Sequence, residues 1–398
     1  MAGIAALAVA YVLSQFYRSF LAVLTPVLGS ELGMTKADFS IASGVFFLTF
    51  ALSQFPVGVA LDRIGPRYTA VTLMIFGAGG GTFLFSAATA PWMVIFATGL
   101  MGIGCAPVLM AALFIFARRY TPAKFAMLSS WIVAFGTAGN VLGASPLAYA
   151  AEAFGWRPVM AGLGVFTLLI AALVFALVRD PENPHAGSGS TGFAGFAELL
   201  RLRVLWPIIP LTMVAYAPSA CIRGLWAGPY LADVHAADML AIGNATVLMA
   251  LAMAAGAFIY GPLDQFFGTR KWVAVVGTTI SLSALLALGL HPQSSLGSAT
   301  ALLVLIGVAG GSYGLLMAHA RAFMPPHLIG RGVTLMNFFV IGGAGLLQFA
   351  TGAVVTGGTV PGEPAAAYSA LFLFIALVLG LALVVYLAAR DAKPAHAA

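Results

Sequence analysis

The sequence predicts an all-α membrane protein, twelve transmembrane helices arranged as two pseudo-symmetric bundles of six. Three observations predict it. Of 398 residues, 61% are hydrophobic and 8% charged, and 30 charged side chains (18 Lys+Arg plus 12 Asp+Glu) cannot clothe a water-soluble surface of this size. The apolar residues fall into runs of about 20, the length that crosses the hydrocarbon of a bilayer as a helix. The second half of the chain also repeats the first.

A hydropathy window of about 19 residues gives spans at 5–29, 39–61, 68–90, 92–116, 125–150, 157–178, 204–231, 239–262, 271–290, 298–319, 330–355 and 366–389. The first run has no positive segment before it and continues past Arg18, so it is expected as a retained helix and not a cleaved signal. The next five spans complete an N-terminal bundle over 1–178. The hydrophilic stretch 179–203, with its Asp180-Pro-Glu-Asn-Pro and Gly/Ser content, reads as a cytoplasmic linker. The remaining six spans form a C-terminal bundle over 204–398.

Charge supports the count independently. With both termini in the cytoplasm, fourteen Lys and Arg residues fall on cytoplasmic segments and only Lys36 and Arg157 outside, the bias that membrane insertion imposes. Arg18 and Arg223 sit inside spans. The net charge of +6 is scattered, with no basic stripe or stacking platform for nucleic acid. Cys105 and Cys221 lie in apolar runs without a C-x-x-C partner, so buried free thiols are expected, and no metal site. No G-x-S-x-G, H-E-x-x-H or P-loop is present, which leaves hydrolysis and ATP-driven pumping unsupported, and no cofactor is implied.

Laid over each other at an offset of about 203, Gly58-Val-Ala-Leu-Asp62-Arg63-Ile-Gly65-Pro-Arg67 matches Gly261-Pro-Leu-Asp264-Gln-Phe-Phe-Gly268-Thr-Arg270. Ala117-Arg118-Arg119-Tyr-Thr-Pro122 matches Ala320-Arg321-Ala-Phe-Met-Pro325. Duplicated six-helix halves suit a transporter whose site opens to either side in turn.

The Gly58 to Arg67 segment resembles the loop signature of the major facilitator superfamily, and its C-terminal copy, the six-plus-six count and Gly155-Trp156-Arg157 extend the resemblance over the chain. The resemblance implies that Asp62, Arg63 and Arg67, with Asp264 and Arg270 in the second half, form charge clusters that gate the cytoplasmic side. Two features depart from proton-coupled and drug-exporting members. Thr98 stands where many carry an intramembrane Arg before Gly102, and Gly136, Gly139 and Gly143 are not followed by a Gly-Pro-x-x-Gly-Gly run.

A guanidinium inside a bilayer is costly and normally faces a watery cavity with a partner. Arg223 lies five residues past the position that Arg18 plus the offset would give, in the repeat-related helix. No carboxylate lies in a span centre, so the expected counter-charge is an anionic substrate held by the two forks. The bland alternative is that each Arg snorkels or bonds to carbonyls and Tyr hydroxyls. Gln15, Tyr17, Asn140, Tyr216, Trp226, Asn337 and Gln348 are the neutral donors and aromatic walls expected around the pair. Tyr17-Arg18-Ser-Phe-Leu-Ala-Val-Leu-Thr-Pro26 resembles the D-R-x-x-L-x-x-x-x-P of the anion:cation symporters, and the paired arginines resemble the organophosphate:phosphate antiporters. Tyr17 replaces the symporters' acid, so either a counter-anion or a proton travelling with substrate is expected as the coupled species.

The function expected is therefore secondary transport of a small organic anion by alternating access, in a multi-pass protein of the plasma (bacterial inner) membrane acting as a monomer. Alternatives are an exporter of drugs or metabolites and a non-transporting receptor on the same scaffold. A third is a Cu(I) importer using Met249, Met253, Met317, His319 and Cys105. His319 and His327 are expected to be solvated near a loop.

Overall fold

A computed structural model describes residues 2–120, 122–180, 194–325 and 328–392. Among them secondary structure is almost wholly helical, the one exception being an isolated bridge between Val360 and Glu363. Ten helices are long and apolar enough to cross a membrane: Lys36–Leu61, Pro66–Ser86, Pro91–Phe116, Trp131–Phe154, Trp156–Leu177, Met239–Phe267, Lys271–Leu290, Leu296–Arg321, Gly332–Gly357 and Pro364–Leu387. An eleventh span is the pair Ala2–Phe16 and Leu21–Leu32, bent by 47° at its break. The remaining expected span, 204–231, the seventh in chain order, is not one continuous helix. It is assembled from Ile209–Val214, Ala217–Cys221, a π-helical turn Ile222–Trp226 and Ala227–His235. Pro210, Pro218 and Pro229 each remove a backbone donor along it, which shortens every regular piece. Within the stretch expected as linker, Ala194–Leu200 is helical.

The chain divides into two compact units, Met1–Gly192 and Phe193–Ala398. In the N-terminal unit the second span packs on the fourth, the first on the fifth and sixth, and the third on the sixth. In the C-terminal unit the eighth packs on the tenth, the seventh on the eleventh and twelfth, and the ninth on the twelfth. The pairing scheme is thus the same in both.

Contact inside hydrocarbon gains little from the hydrophobic effect, so close backbone approach must supply the packing energy. Gly139 on the fifth span is so near the first that a Cβ there would stand 1.8 Å from the Val12 carbonyl oxygen. Its repeat-related counterpart, Gly343 on the eleventh span, would meet the Met213 carbonyl oxygen of the seventh at 2.1 Å. The large apolar side chains that remain exposed, such as Phe76, Phe96, Phe258 and Leu381, lie along the spans where lipid tails would cover them.

Candidate functional site

In the N-terminal unit Arg18 occupies the break in the first span. Residues 17–20 form turns, and the backbone N–H groups of Arg18 and Ser19 bond three residues back, to Gln15 (3.3 Å) and Phe16 (3.0 Å). The tightened turn aims the half-buried guanidinium at the second span, where it lies over the Phe50 ring at 4.5 Å. A ring face attracts a cation without neutralising it. The Nε of Arg18 is buried, with no hydrogen-bond partner among the described residues. One turn along the second span, Gln54 is buried, donates Nε2 to the Ala106 carbonyl at 3.4 Å and leaves Oε1 without a partner among the described residues. Phe50 and Gln54 escape sequence reasoning because one more Phe and one Gln in an apolar helix carry no distinguishing pattern; their spacing of four is the only signal.

Tyr17 points elsewhere. Its hydroxyl is buried with Thr82 Oγ1 and Thr167 Oγ1 each 2.7 Å away, joining the first, third and sixth spans. Thr82 also reaches the Ala78 carbonyl at 2.6 Å, inside the π-helical turn Met74–Gly79. Tyr17 therefore anchors the turn that presents Arg18. Replacing Tyr17 by Phe removes the bonds that tie the first span to the third and sixth, while Thr82 and Thr167 keep the Ala78 and Leu163 carbonyls of their own helices. Stability is expected to fall by about 0.5–1.5 kcal/mol per lost bond, read as a fall in the detergent melting temperature. An unchanged melting temperature contradicts the anchoring role. Gln15, half-buried, donates to the Tyr11 hydroxyl at 2.6 Å. Asn140 is half-buried on the fifth span.

In the C-terminal unit Arg223 lies within the π-helical turn and is 2% exposed. A π turn inserts an extra residue into the helical register, and such turns concentrate at functional sites. The same insertion accounts for part of the shift between Arg223 and the position the repeat assigns it. Trp226 is fully buried and donates Nε1 to Thr351 Oγ1 at 2.9 Å, while Thr351 bonds to the Gln348 carbonyl at 2.9 Å. Trp226 thus ties the seventh span to the eleventh through Thr351, whose own hydroxyl is turned on the Gln348 carbonyl of its helix. Tyr216 stacks at a tilt on Tyr313 of the tenth span, 5.2 Å between centroids, and Asn337 is half-buried on the eleventh. Both arginines accordingly sit where helical regularity fails, the arrangement by which broken spans place ligand groups at mid-membrane.

The loop clusters are also built alike. Gly65 (φ +100°) and Gly268 (φ +64°) take the left-handed turn after the second and eighth spans. Arg270 pairs with Asp264 at 3.0 Å, both largely buried. Arg63 is exposed, whereas Arg67 lies over Phe175 at 4.0 Å; the side chain of Asp62 lies outside the described residues. Sequence reasoning missed the acid that completes each cluster. Asp180, just after the sixth span, accepts from the Arg67 backbone N–H at 2.8 Å. Asp391, just after the twelfth, accepts from the backbone N–H groups of Arg270 (3.2 Å) and Lys271 (3.0 Å) and from Thr269 Oγ1. Asp180 thus caps the N-terminus of the third span's helix and Asp391 that of the ninth, where positive dipole and free donors favour a carboxylate. Partial burial opposes ionisation of Asp391, but the bonds from Thr269, Lys271 and Arg270 outweigh it and hold its carboxyl below the usual range. Because that value is depressed in the folded state, the cap contributes stability above the ordinary aspartate range and loses it as pH falls through the folded value.

His319 corrects the expectation of a solvated ring. It is fully buried, with Nδ1 2.7 Å from the Tyr386 hydroxyl and Nε2 2.8 Å from the Arg390 carbonyl oxygen. His327 lies outside the described residues.

Two like-built helical units, each carrying an intramembrane arginine at a broken span, define a polytopic membrane protein of the two-bundle transporter class. The family model of the Major Facilitator Superfamily matches residues 7–225, and the chain belongs to that superfamily. It is 24% identical over 310 residues to the membrane sensor protein UhpC of Salmonella typhimurium, covering 69% of this chain and 67% of that one. It is 30% identical over 178 residues to a D-galactonate transporter of Escherichia coli O6:H1, covering 42% and 38%. It is 26% identical over 177 residues to a probable hexose phosphate transport protein of Chlamydia muridarum, covering 43% and 37%. In the latter two cases the chain spans well under half of the relative's length. In fold it matches a bacterial homologue of the human lysosomal transporter Spinster, with TM-score 0.77, 20% identity and 97% and 96% coverage.

Proposed function

We propose that the protein is a secondary transporter that carries a small organic anion by alternating access, with Arg18 of one unit and Arg223 of the other holding the negative group. The observation that carries this reading is Arg18: a guanidinium at a helix break inside the membrane, resting on Phe50 with its buried Nε unbonded. Among the described residues no ion pair meets that charge, and no span centre in the sequence offers a carboxylate. Named relatives that move galactonate and hexose phosphate, both organic anions, support the same class. Phe50 and Gln54 join the proposed site; Tyr17, Trp226 and Gln348 position the arginines, while Gln15, Tyr216, Asn140 and Asn337 are its neutral periphery. Asp62, Arg63, Arg67, Asp264 and Arg270, now with Asp180 and Asp391, are the proposed gate. Both termini are placed in the cytoplasm, and exchange against a second anion or co-transport with protons drives the cycle.

The test is thermal stability of the detergent-purified protein against D-galactonate, glucose 6-phosphate, inorganic phosphate, dicarboxylates, neutral sugars, cationic drugs and Cu(I). A ligand at 100 times its Kd adds about 2.7 kcal/mol if it binds only the folded state. Stabilisation by at least one anion and by no cation is the expected result. Stabilisation by drugs or Cu(I) alone overturns it in favour of export or copper import.

A second reading has one observation in its favour: the relative with the longest of these three alignments is named a membrane sensor. A sensor on this scaffold binds the anion without moving it. Flux in proteoliposomes separates the two.

A further inference from the structure

His319 is the one described histidine that lies within a candidate span, and neither proposed role, anion binding or gating by charge pairs, uses it. The Arg390 carbonyl can only accept, so Nε2 must carry a proton. In the neutral ring Nδ1 is then the acceptor, and Tyr386 donates to it. Both ends of the imidazole are thus spent on the last span and the residues just after it. Around them Lys271 Nζ donates to the Leu387 carbonyl at 2.6 Å, and Asp391 caps the ninth span. Residues 387–391 are therefore held by three separate grips, on Leu387, Arg390 and Asp391, of which only the ring on Arg390 changes charge near neutral pH.

The ionisable surroundings decide what a second proton does. Arg270 and Lys271 face the ring from the ninth span, and Asp391 from the tail. The eighth span offers Asp264, already paired with Arg270, and Tyr260; the twelfth offers Tyr386, and the tail also Arg390. The tenth span itself offers Arg321 and Tyr313, both outside the ring's bonds. The piece of the seventh span packed against this helix, Ile209–Val214, bears no charged side chain, and the eleventh span brings none among those described. A proton on Nδ1 turns that atom from acceptor to donor. The Tyr386 hydroxyl must then accept instead, and its own hydrogen has no other acceptor among the described residues. The added charge also meets two cations and one anion. A second proton on the ring therefore costs the docked segment the bond between Nδ1 and the Tyr386 hydroxyl.

We infer that His319 is a proton-binding site whose occupation releases the end of the last span, residues 387–391, from the ninth and tenth spans. The proton comes from the aqueous face that the charge bias assigns to the cytoplasm; it adds to Nδ1, and no other bond is made or broken. The inference does not rest on the anion reading, and its test needs no substrate, so either can fail alone.

Ala389 is 3% exposed and serves as the reporter. In the full-length protein carrying Ala389→Cys, maleimide labelling is followed from pH 7.5 to 5.5, corrected for thiol ionisation with glutathione and for Cys105 and Cys221 with the parent protein. The expected corrected rate rises as pH falls, by about tenfold per unit at most for one proton. With His319→Gln, whose amide can donate to one partner and accept from the other, the rate stays at its pH 7.5 value throughout. With Tyr386→Phe, which no longer requires Nδ1 as acceptor, the rise moves to higher pH. A flat corrected rate in the Ala389→Cys protein, the same rise when His319→Gln is added, or an unmoved midpoint when Tyr386→Phe is added overturns the inference. The last comparison keeps its force if His319→Gln fails to fold.

Discussion

Replacing Arg223 with Ala is expected to weaken binding of a stabilising organic anion roughly 30-fold or more, and Arg18→Ala to do the same. Removing one member of a desolvated charge pair costs about 2–5 kcal/mol, and 1.4 kcal/mol is a tenfold change in Kd. The physical reason lies in where the two side chains sit. Each is placed by a helix break, at residues 17–20 and in the turn Ile222–Trp226, so neither can be substituted by a neighbour sliding along a regular helix. Lysine at either position keeps the charge and loses the planar fork, so Arg18→Lys and Arg223→Lys should fall between parent and alanine. Binding is read by calorimetry on the folded fraction. If both alanine variants retain the parent Kd for every anion, the arginines are structural and the proposed site is wrong.

The largest expected loss of stability comes from the two glycines that let neighbouring spans touch. Gly139→Ala puts a methyl 1.8 Å from the Val12 carbonyl oxygen, and Gly343→Ala puts one 2.1 Å from that of Met213. Backbone cannot swing aside as a side chain does, so the helices must separate. Overpacking costs of about 1–3 kcal/mol are typical, and here each shift also loosens the span that carries an arginine. Gly162→Ala is the control, since a Cβ there meets nothing within 4 Å. The melting temperature in detergent should drop clearly for Gly139→Ala and Gly343→Ala and hold for Gly162→Ala. Equal melting temperatures for all three would mean that the first–fifth and seventh–eleventh contacts are looser than described.

Much of this was legible beforehand because hydropathy and charge bias act on span length and loop sign, both of which survive in sequence. Eleven of the spans lie where apolar runs predict them, and the repeat anticipated the paired left-handed turns at Gly65 and Gly268. What hydropathy does not carry is facing. In a bilayer both sides of a helix are apolar, so no periodic contrast tells a lipid-facing side from a packed one. That is why Tyr17, expected beside Arg18, turns toward Thr82 and Thr167, and why His319, expected in solvent, is buried. The breaks were hidden for a related reason. A π turn or a tightened bend is a choice of hydrogen-bond partner, settled by tertiary packing, and Arg223 looks from sequence merely misaligned. Asp180 and Asp391 stand in hydrophilic segments where any acid reads as solvated, and only their distances to the helix N-termini reveal the caps.

The most direct test of the central claim is exchange in proteoliposomes. Vesicles holding the parent, Arg18→Ala or Arg223→Ala are loaded with unlabelled anion, chosen as the one that most stabilises the parent, and labelled anion is supplied outside. Accumulation of label by the parent, lost in both variants, is the result this account predicts. Accumulation that is undiminished in the variants, or binding by the parent with no movement of label, would contradict it.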